Sequence, residues 1–133
     1  MLLFLGAGIT RAGDRSLLDD LTAQLVARGG LDPAATSSFP DVAQTYEDDR
    51  SRNALIQFVR DRVEGLGDAP QTTHRLIAQL TTCTILTTTC FDHLLERAFA
   101  AAGHPPLSVI GDSDVAFSDE RKTLLYKLHG AID

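Results

Sequence analysis

The sequence has few of the residues that stabilise small secreted domains or bind structural zinc. Its 133 residues include two cysteines, one methionine and no tryptophan. Cys83 and Cys90 fall in one predicted strand region and form no Cys-x-x-Cys pair, so they indicate neither a disulfide framework nor a zinc site. We therefore predict that the chain binds no metal.

Long apolar runs are also missing from the sequence. No apolar segment approaches the roughly 18 residues that a membrane-spanning helix needs. The apolar stretch at the N-terminus has no basic leader and continues directly into Gly6-Ala7-Gly8, which is unlike a secretory signal. We therefore expect a cytoplasmic protein that does not interact with a membrane.

Basic residues are fewer than acidic ones. The chain has 12 lysines and arginines against 18 aspartates and glutamates, which gives a formal net charge of −6 at pH 7. Nucleic-acid surfaces need clustered Lys and Arg, so we predict no direct nucleic-acid partner. A bound nucleotide is compatible with this charge, because glycine turns and helix N-termini bind phosphate without net positive charge.

Segments typical of strands and helices alternate along the chain. We predict strands over residues 2–5, 84–88, 107–110 and 123–128, and helices over 17–28, 41–48, 52–64, 71–80 and 92–102. The alternation predicts an α/β fold, a Rossmann-like parallel sheet with helices on both faces. The helices between residues 39 and 80 would form a small helical layer inserted after the first strand. Residues 2–5 are apolar on both faces and therefore predict a buried strand.

The length and composition fit a single domain with a hydrophobic core, since 44% of the residues are apolar. The sequence starts almost inside its first predicted strand and stops at Asp133, shortly after Leu128-His129-Gly130. We therefore expect the chain to be a fragment, or a member of a larger family that is truncated at its C-terminus.

A glycine-rich turn directly follows the first predicted strand. Gly6 and Gly8 lack Cβ, so they can adopt positive φ and let a pyrophosphate approach the main chain. The dinucleotide fingerprint G-x-G-x-x-G is incomplete, because Arg11 occupies its third glycine position and Gly13 comes two residues later. A hydride-transferring dehydrogenase is therefore disfavoured. A tight strand-to-helix turn without a ligand is the alternative interpretation.

A second polar segment, Thr88–Asp92, lies at the C-terminal end of another predicted strand. Ligands of open α/β sheets bind at that edge. Asp92 has a competing structural role, because it precedes a predicted helix and could cap its N-terminus. Taken in isolation, the capping role is favoured. Cys90 in the same segment is more typical of a small buried hydrophobe than of a nucleophile.

Histidines provide the remaining candidates. His129 follows the last predicted strand and precedes Gly130, a position from which its ring can project into a crevice. Imidazole titrates near neutrality, so this side chain could accept a proton there. A partly exposed histidine near a chain end is the structural alternative. His74 lies on an apolar helix face, which favours a core or interface role, and His93 and His104 are expected at the surface.

Four segments of the sequence, taken together and in order, resemble one family. They are the glycine turn Gly6–Thr10 with Gly13, the segment Pro70–Leu80 with His74, the strand and turn of Ile85–Glu96, and the segment Leu125–Asp133. These segments resemble sirtuin-like (silent-information-regulator) NAD-consuming domains, and the bacterial branch of NAD-hydrolysing defence proteins more than the protein deacylases. The resemblance covers nearly the whole chain and implies a single NAD-binding domain over residues 1–133.

The resemblance implies roles for individual residues. It assigns cofactor binding to the glycine turn and to the end of a central strand, at Gly6, Ala7, Gly8, Ile9, Thr10, Arg11, Gly13, Thr88 and Thr89. It places Asp92 at the nicotinamide-ribose end of NAD. It makes His129 the catalytic histidine, which would act as a general base.

One catalytic position departs from the family pattern. The family has asparagine where Cys90 stands, and that asparagine positions the ribose and the attacking water by hydrogen bonds, for which a thiol is a poor substitute. An alternative alignment places Thr89 there at the expense of one inserted residue, whereas the Cys90 alignment needs no gap through Glu96. Arg15 also replaces the family's proline after Gly13.

The activity that the resemblance implies is NAD+ glycohydrolysis, which yields nicotinamide and ADP-ribose, in antiphage defence. Cys90 motivates an alternative, a catalytically degenerate domain that binds NAD or ADP-ribose. An NAD-dependent protein deacylase ranks third, because those enzymes usually carry a four-cysteine zinc module that the two cysteines here do not support. The family also implies a homo-oligomer, or a C-terminal or partner sensor domain.

Overall fold

The computed structural model describes residues 1–32, 38–80, 82, 84–111, 114 and 122–131. The chain forms two compact units. The sheet unit comprises Met1–Thr10 and Asp68–Asp133, and the helical unit comprises Arg11–Gly67. Cys83 and Asp133, which enter the sequence-based predictions, lie outside the described residues.

The predicted elements are present in the predicted order and lie within two residues of the predicted boundaries, and the structure adds two short strands, β2 and β3. The strands are β1 (Leu2–Leu5), β2 (Arg11–Ala12), β3 (Arg15–Ser16), β4 (Ile85–Thr88), β5 (Leu107–Val109) and β6 (Leu124–Lys127). The helices are α1 (Leu17–Gly29), α2 (Phe39–Asp49), α3 (Arg52–Glu64), α4 (Thr72–Ala78) and α5 (Leu94–Ala101). Within the described ranges, every helix is too short or too polar to cross a bilayer.

The sheet unit is built on four parallel strands in the order β1-β4-β6-β5. The register aligns Leu5 of β1 with Thr88 of β4 and Lys127 of β6. The carboxyl ends of these three strands therefore lie side by side at one edge. A parallel sheet of this kind with helices in its connections confirms the predicted α/β, Rossmann-like fold.

The core of the sheet unit lies on one face of the sheet. Leu5, Leu86 and Leu125 point to this face, where they form one cluster with buried residues of α4 and α5. On the opposite face of β1, the side chains of Leu2 and Phe4 are 67% and 61% exposed. The prediction that both faces of this strand are buried is therefore wrong, because α4 and α5 both pack on the Leu5 face.

The helical unit is built from helices with regular caps. Ser16, Ser38 and Ser51 each accept a hydrogen bond from the backbone amide three residues later, which satisfies an amide that the helix leaves without a partner. Gly30 ends α1 in the left-handed conformation, with φ of 62°. Helix α2 starts earlier than predicted because Ser38 caps it and Pro40 fits its first turn.

A small hairpin precedes α1, in a segment where no strand was predicted. Strand β2 pairs with β3 in an antiparallel register, with Arg11 opposite Ser16 and Ala12 opposite Arg15. Gly13 turns the chain between them with φ of 68°, a conformation that favours glycine. Strands of two residues carry no alternating pattern, so the sequence offered no signal for them.

Candidate functional site

Three chain segments leave the sheet at the same edge. The glycine turn follows β1, the segment Thr89–Asp92 follows β4, and the segment Leu128–Gly130 follows β6. Because β1, β4 and β6 are adjacent and parallel, the segments that follow them begin next to each other. The structure thus brings together the three segments in which the sequence analysis placed its main candidate residues.

The glycine turn is a short 3-10 helix, Ala7–Ile9. Its hydrogen bonds run from the amide of Ile9 to the Gly6 carbonyl and from the amide of Thr10 to the Ala7 carbonyl, at 3.3 and 3.4 Å. The amides of Ala7 and Gly8 begin the turn and lie outside this internal pattern. They are therefore donors that an anion can use.

The two glycines of this turn do not use their freedom to adopt positive φ. Gly6 has φ of −72°, and Gly8 is not among the glycines with positive φ. The 3-10 helix requires negative φ. A Cβ added at either glycine would meet no atom within 4 Å. Folding therefore does not require glycine here, and the open space beside the turn is available to a ligand.

Buried hydrogen bonds connect Thr10, Asp92 and His74. The Thr10 hydroxyl donates to Oδ2 of Asp92 at 2.7 Å and lies 3.1 Å from Nε2 of His74. Thr10 and His74 are 0% exposed and Asp92 is 4% exposed. Polar groups buried this deeply are costly unless they are paired, so the cluster fixes the geometry of its members.

Asp92 stabilises the start of α5, as its structural alternative predicts, while its role at the nicotinamide-ribose end of NAD stays a prediction. Its Oδ1 accepts a hydrogen bond from the amide of Leu94, the first residue of α5, at 3.0 Å. Its Oδ2 accepts the hydroxyl of Thr10, which directly follows the glycine turn. The carboxylate therefore stabilises the start of a helix and is also held at the sheet edge.

Lys127 is a buried lysine that the sequence analysis did not single out. Its Nζ donates to the backbone carbonyl of Asp92 at 2.5 Å and to Oε1 of Glu96 at 2.9 Å. The residue is 3% exposed. A signal was present, because Lys127 is two residues after Leu125 and therefore points to the same core face of the strand.

Cys90 is buried against the glycine turn. Its Sγ lies 3.6 Å from the carbonyl oxygen of Gly6, and its amide donates to the hydroxyl of Thr88 at 3.1 Å. Burial raises the pKa of the Cys90 thiol above its usual value, which outweighs the opposing hydrogen bonds between the thiol and the side chains of Thr88 and Thr10. The thiol therefore stays protonated at neutral pH and donates to Gly6, as expected for a structural cysteine rather than a nucleophile.

His129 lies in the exposed turn after β6. Its ring stacks on that of Phe91, with ring centroids 6.0 Å apart and an interplanar angle of 28°. Phe91 stands between Cys90 and Asp92, so the contact joins the histidine to the segment that follows β4. The catalytic role that the resemblance implies for His129 stays a prediction.

The remaining predicted cofactor residues fall into two groups. Thr88 is buried at the end of β4, and the amide of Thr89 donates to the carbonyl of Leu5 at 3.2 Å, which ties the ends of β4 and β1 together. Arg11 and Gly13 belong to the helical unit, where the Arg11 guanidinium donates to the carbonyl of Asp14. The cofactor-binding roles of all four residues stay predictions.

His74 and His104 make contacts that the sequence did not predict. His74 is in the core, as expected, but its bond to Thr10 also makes it part of the polar cluster. His104 is half-buried rather than at the surface. Its Nε2 lies 2.8 Å from the carbonyl of Ala78, and its ring packs edge-on against Phe99. The signal for His74 was absent because its partner Thr10 is 64 residues away in sequence.

Metal binding has no visible basis in the described ranges, where no group of three or more His, Cys, Asp or Glu side chains could hold an ion.

Residues 84–133 match the family model described as SIR2-like domain. This match confirms the sirtuin-like resemblance over a region that contains Asp92 and His129. No match to a curated protein was found. The chain is thus similar over these residues to domains with an NAD-related function.

Proposed function

We propose that the sheet unit binds NAD+ and hydrolyses it to nicotinamide and ADP-ribose. One observation carries the proposal: a glycine turn with open space beside it is hydrogen-bonded through Thr10 to a buried carboxylate, Asp92. This arrangement lies at the edge of a parallel sheet where nucleotides bind. The similarity of residues 84–133 to a SIR2-like domain supports the same ligand.

The glycine turn is suited to hold the pyrophosphate of NAD+. The amides of Ala7 and Gly8 can donate to phosphate oxygens, and the missing side chains of Gly6 and Gly8 allow close approach. Binding energy from the pyrophosphate would orient the ribose that reacts. An acidic chain can bind such an anion because the donors are backbone groups.

Hydrolysis breaks the bond between the ribose anomeric carbon and the nicotinamide nitrogen. The electron pair of that bond neutralises the pyridinium, so nicotinamide leaves as a neutral molecule. Positive charge develops on the ribose, and the carboxylate of Asp92 would hold this end of the substrate. Water then forms the new bond to the anomeric carbon, and His129 accepts its proton as general base.

The direct test is NAD+ turnover by the wild-type chain and by His129→Ala, followed as nicotinamide release by chromatography. Loss of a general base lowers the rate by roughly 10²–10⁴-fold. His104→Gln is the matched control, because His104 contacts Ala78 and Phe99 outside the proposed site. Equal rates for the wild type and His129→Ala would remove His129 from the mechanism.

Cys90 supports a second candidate function, a domain that binds NAD or ADP-ribose without turnover. Its thiol is buried and bonded to Gly6, so it does not offer the hydrogen bonds of the family's asparagine. If the wild type binds ADP-ribose without hydrolysing NAD+, and Cys90→Asn hydrolyses it, the domain is a degenerate enzyme. Deacylation, an antiphage role and assembly into a homo-oligomer remain weaker predictions from the resemblance alone.

A further inference from the structure

We infer that His74 is a positioning residue for Asp92, acting through the Thr10 hydroxyl as a neutral imidazole with its proton on Nε2. The inference deepens the proposed function, because a fixed Asp92 matters most if that carboxylate holds the reacting ribose. Its hydrogen-bond geometry, however, can be tested without any ligand. His74 would not touch the substrate.

One end of this hydrogen-bond chain is fixed by a group that can only donate. The backbone amide of Gln71 points at Nδ1 of His74 across 3.3 Å. Nδ1 must therefore accept, so it carries no proton, and the proton of a neutral imidazole is on Nε2. His74 occupies the third position of α4 and here supplies the acceptor of a reciprocal capping box.

The other end of the chain is fixed by a group that can only accept. Oδ2 of Asp92 receives the single proton of the Thr10 hydroxyl at 2.7 Å. Oγ1 of Thr10 is then free to accept from Nε2 of His74 at 3.1 Å. One arrangement of protons satisfies these three contacts together, and in it each donor points toward the carboxylate.

Burial of the side chains favours this arrangement of protons over the alternative protonation states of His74. Thr10 and His74 are fully buried, and the resulting desolvation lowers the pKa of His74 although the charge of Asp92 opposes the shift. A neutral ring is therefore expected at pH 7. With Oδ1 held by the amide of Leu94 and Oδ2 held by Thr10, rotation of the Asp92 carboxylate is restricted.

The side chain at position 74 can be varied without changing its volume greatly. His74→Gln offers a carbonyl oxygen to Gln71 and an N–H to Thr10, with a spacing close to that of the two ring nitrogens, so it preserves the chain. His74→Leu fills the space but has neither group. Thr10→Ser and Thr10→Val form a second pair, which differs in the hydroxyl.

The first experiment is nitrogen NMR of the full chain labelled with ¹⁵N-histidine, without ligand. The His74 ring is assigned as the signal lost in His74→Leu or, if that variant does not fold, in His74→Gln. We expect the Nε2–H tautomer at pH 7, with a changed ring signal in Thr10→Val and a preserved one in Thr10→Ser. An Nδ1–H tautomer or an imidazolium at pH 7 would overturn the inference.

The second experiment compares kcat for NAD+ and calorimetric affinity for ADP-ribose. A misplaced reacting group costs about 10²-fold, so His74→Leu should lose about this much in kcat with little change in affinity, and His74→Gln should restore most of it. A folded His74→Leu variant with wild-type kcat would refute the positioning role. A wild type without turnover would instead count against the proposed function, and the NMR result would decide this inference alone.

Discussion

The two units of the chain differ in what they bury. In the described part of the helical unit, the buried charged group is Asp20, whose carboxylate accepts from Nε of Arg62 at 2.5 Å. The described part of the sheet unit buries five polar side chains, which are Thr10, His74, Thr88, Asp92 and Lys127. The helical unit is stabilised by ordinary helix caps and apolar packing. The sheet unit departs from the usual rule that polar side chains stay exposed, and it does so near one edge of the sheet.

This difference separates residues that serve folding from residues that require another explanation. The serine caps and the αL glycine of the helical unit each satisfy backbone groups locally. The buried polar groups of the sheet unit could be replaced by apolar ones in a purely structural core. Their concentration near the edge where strands end is the reason to treat this edge as a candidate site.

The largest effect is expected from removing a carboxylate charge in the sheet unit. Asp92→Asn should lower kcat for NAD+ by roughly 10²–10³-fold, because the amide cannot stabilise positive charge on the ribose. Asp20→Asn in the helical unit is the matched control and should leave kcat unchanged. Nicotinamide release measures both, at a temperature where thermal melts show each variant folded. Similar losses of kcat in both variants would show that the buried carboxylate of the sheet unit is no more important for turnover than that of the helical unit.

Removal of the buried Lys127 should affect stability more than removal of the half-buried Arg62. Lys127→Met leaves Glu96 without its cation, and Oε2 of Glu96 has no hydrogen-bond partner in the described residues. We expect the free energy of unfolding to fall by about 3 kcal/mol.

Arg62→Met is the comparison in the helical unit. The Arg62 side chain is about a third exposed, so loss of its pair with Asp20 should lower the free energy of unfolding by about 1 kcal/mol. Urea denaturation of both variants gives the two values. If Arg62→Met lowers the free energy of unfolding more than Lys127→Met does, the buried polar groups of the sheet unit do not contribute more to stability than the ion pair of the helical unit.

A smaller effect is expected from removing a helix cap. Ser51→Ala deletes the hydroxyl that accepts from the amide of Ala54 at 3.1 Å, and should lower the free energy of unfolding by about 1 kcal/mol. ADP-ribose affinity should not change, because Ser51 belongs to the helical unit. A calorimetric titration and a denaturation curve measure the two quantities. Weaker ADP-ribose binding by Ser51→Ala would contradict the assignment of ligand binding to the sheet unit alone.

The smallest effect concerns pH. Burial lowers the pKa of His74 below its ordinary value of 6.5, so between the two values the unfolded chain binds the proton and the folded chain does not. Stability should therefore fall as pH drops below about 6.5. The charged group that acts on His74 is the carboxylate of Asp92, which opposes the shift. His74→Gln should flatten the pH dependence of the free energy of unfolding in this range. An unchanged slope would show that another group, not His74, causes the pH dependence.

Much of the fold was predictable because its signals are local. Ser16 and Ser51 mark helix starts, and the β-branched run of β4 marks a central strand. The meeting of three segments at one edge followed from the parallel connection rule. The β2–β3 hairpin and the φ angles of Gly6 and Gly8 were not predictable, because they depend on the conformations of two or three residues.

The internal connections of the candidate site were less predictable than its location. His74 reaches Asp92 through Thr10, and these residues come from three distant parts of the chain. Sequence spacing contains no information on such a bond until the fold is known. Lys127 was foreseeable in principle, because an alternating strand placed its charge on the core face, where it needs a partner.

The central claim is that the open space beside the glycine turn holds the pyrophosphate of NAD+. Calorimetric titration with ADP-ribose, of the wild type and of Gly8→Val, tests it most directly. A Cβ at Gly8 meets no atom within 4 Å, so thermal unfolding should change little, while the side chain would occupy the ligand's space. We predict binding by the wild type and at least a roughly tenfold weaker affinity for the variant, about 1.4 kcal/mol. Equal affinities, or no binding by the folded wild type, would contradict the claim.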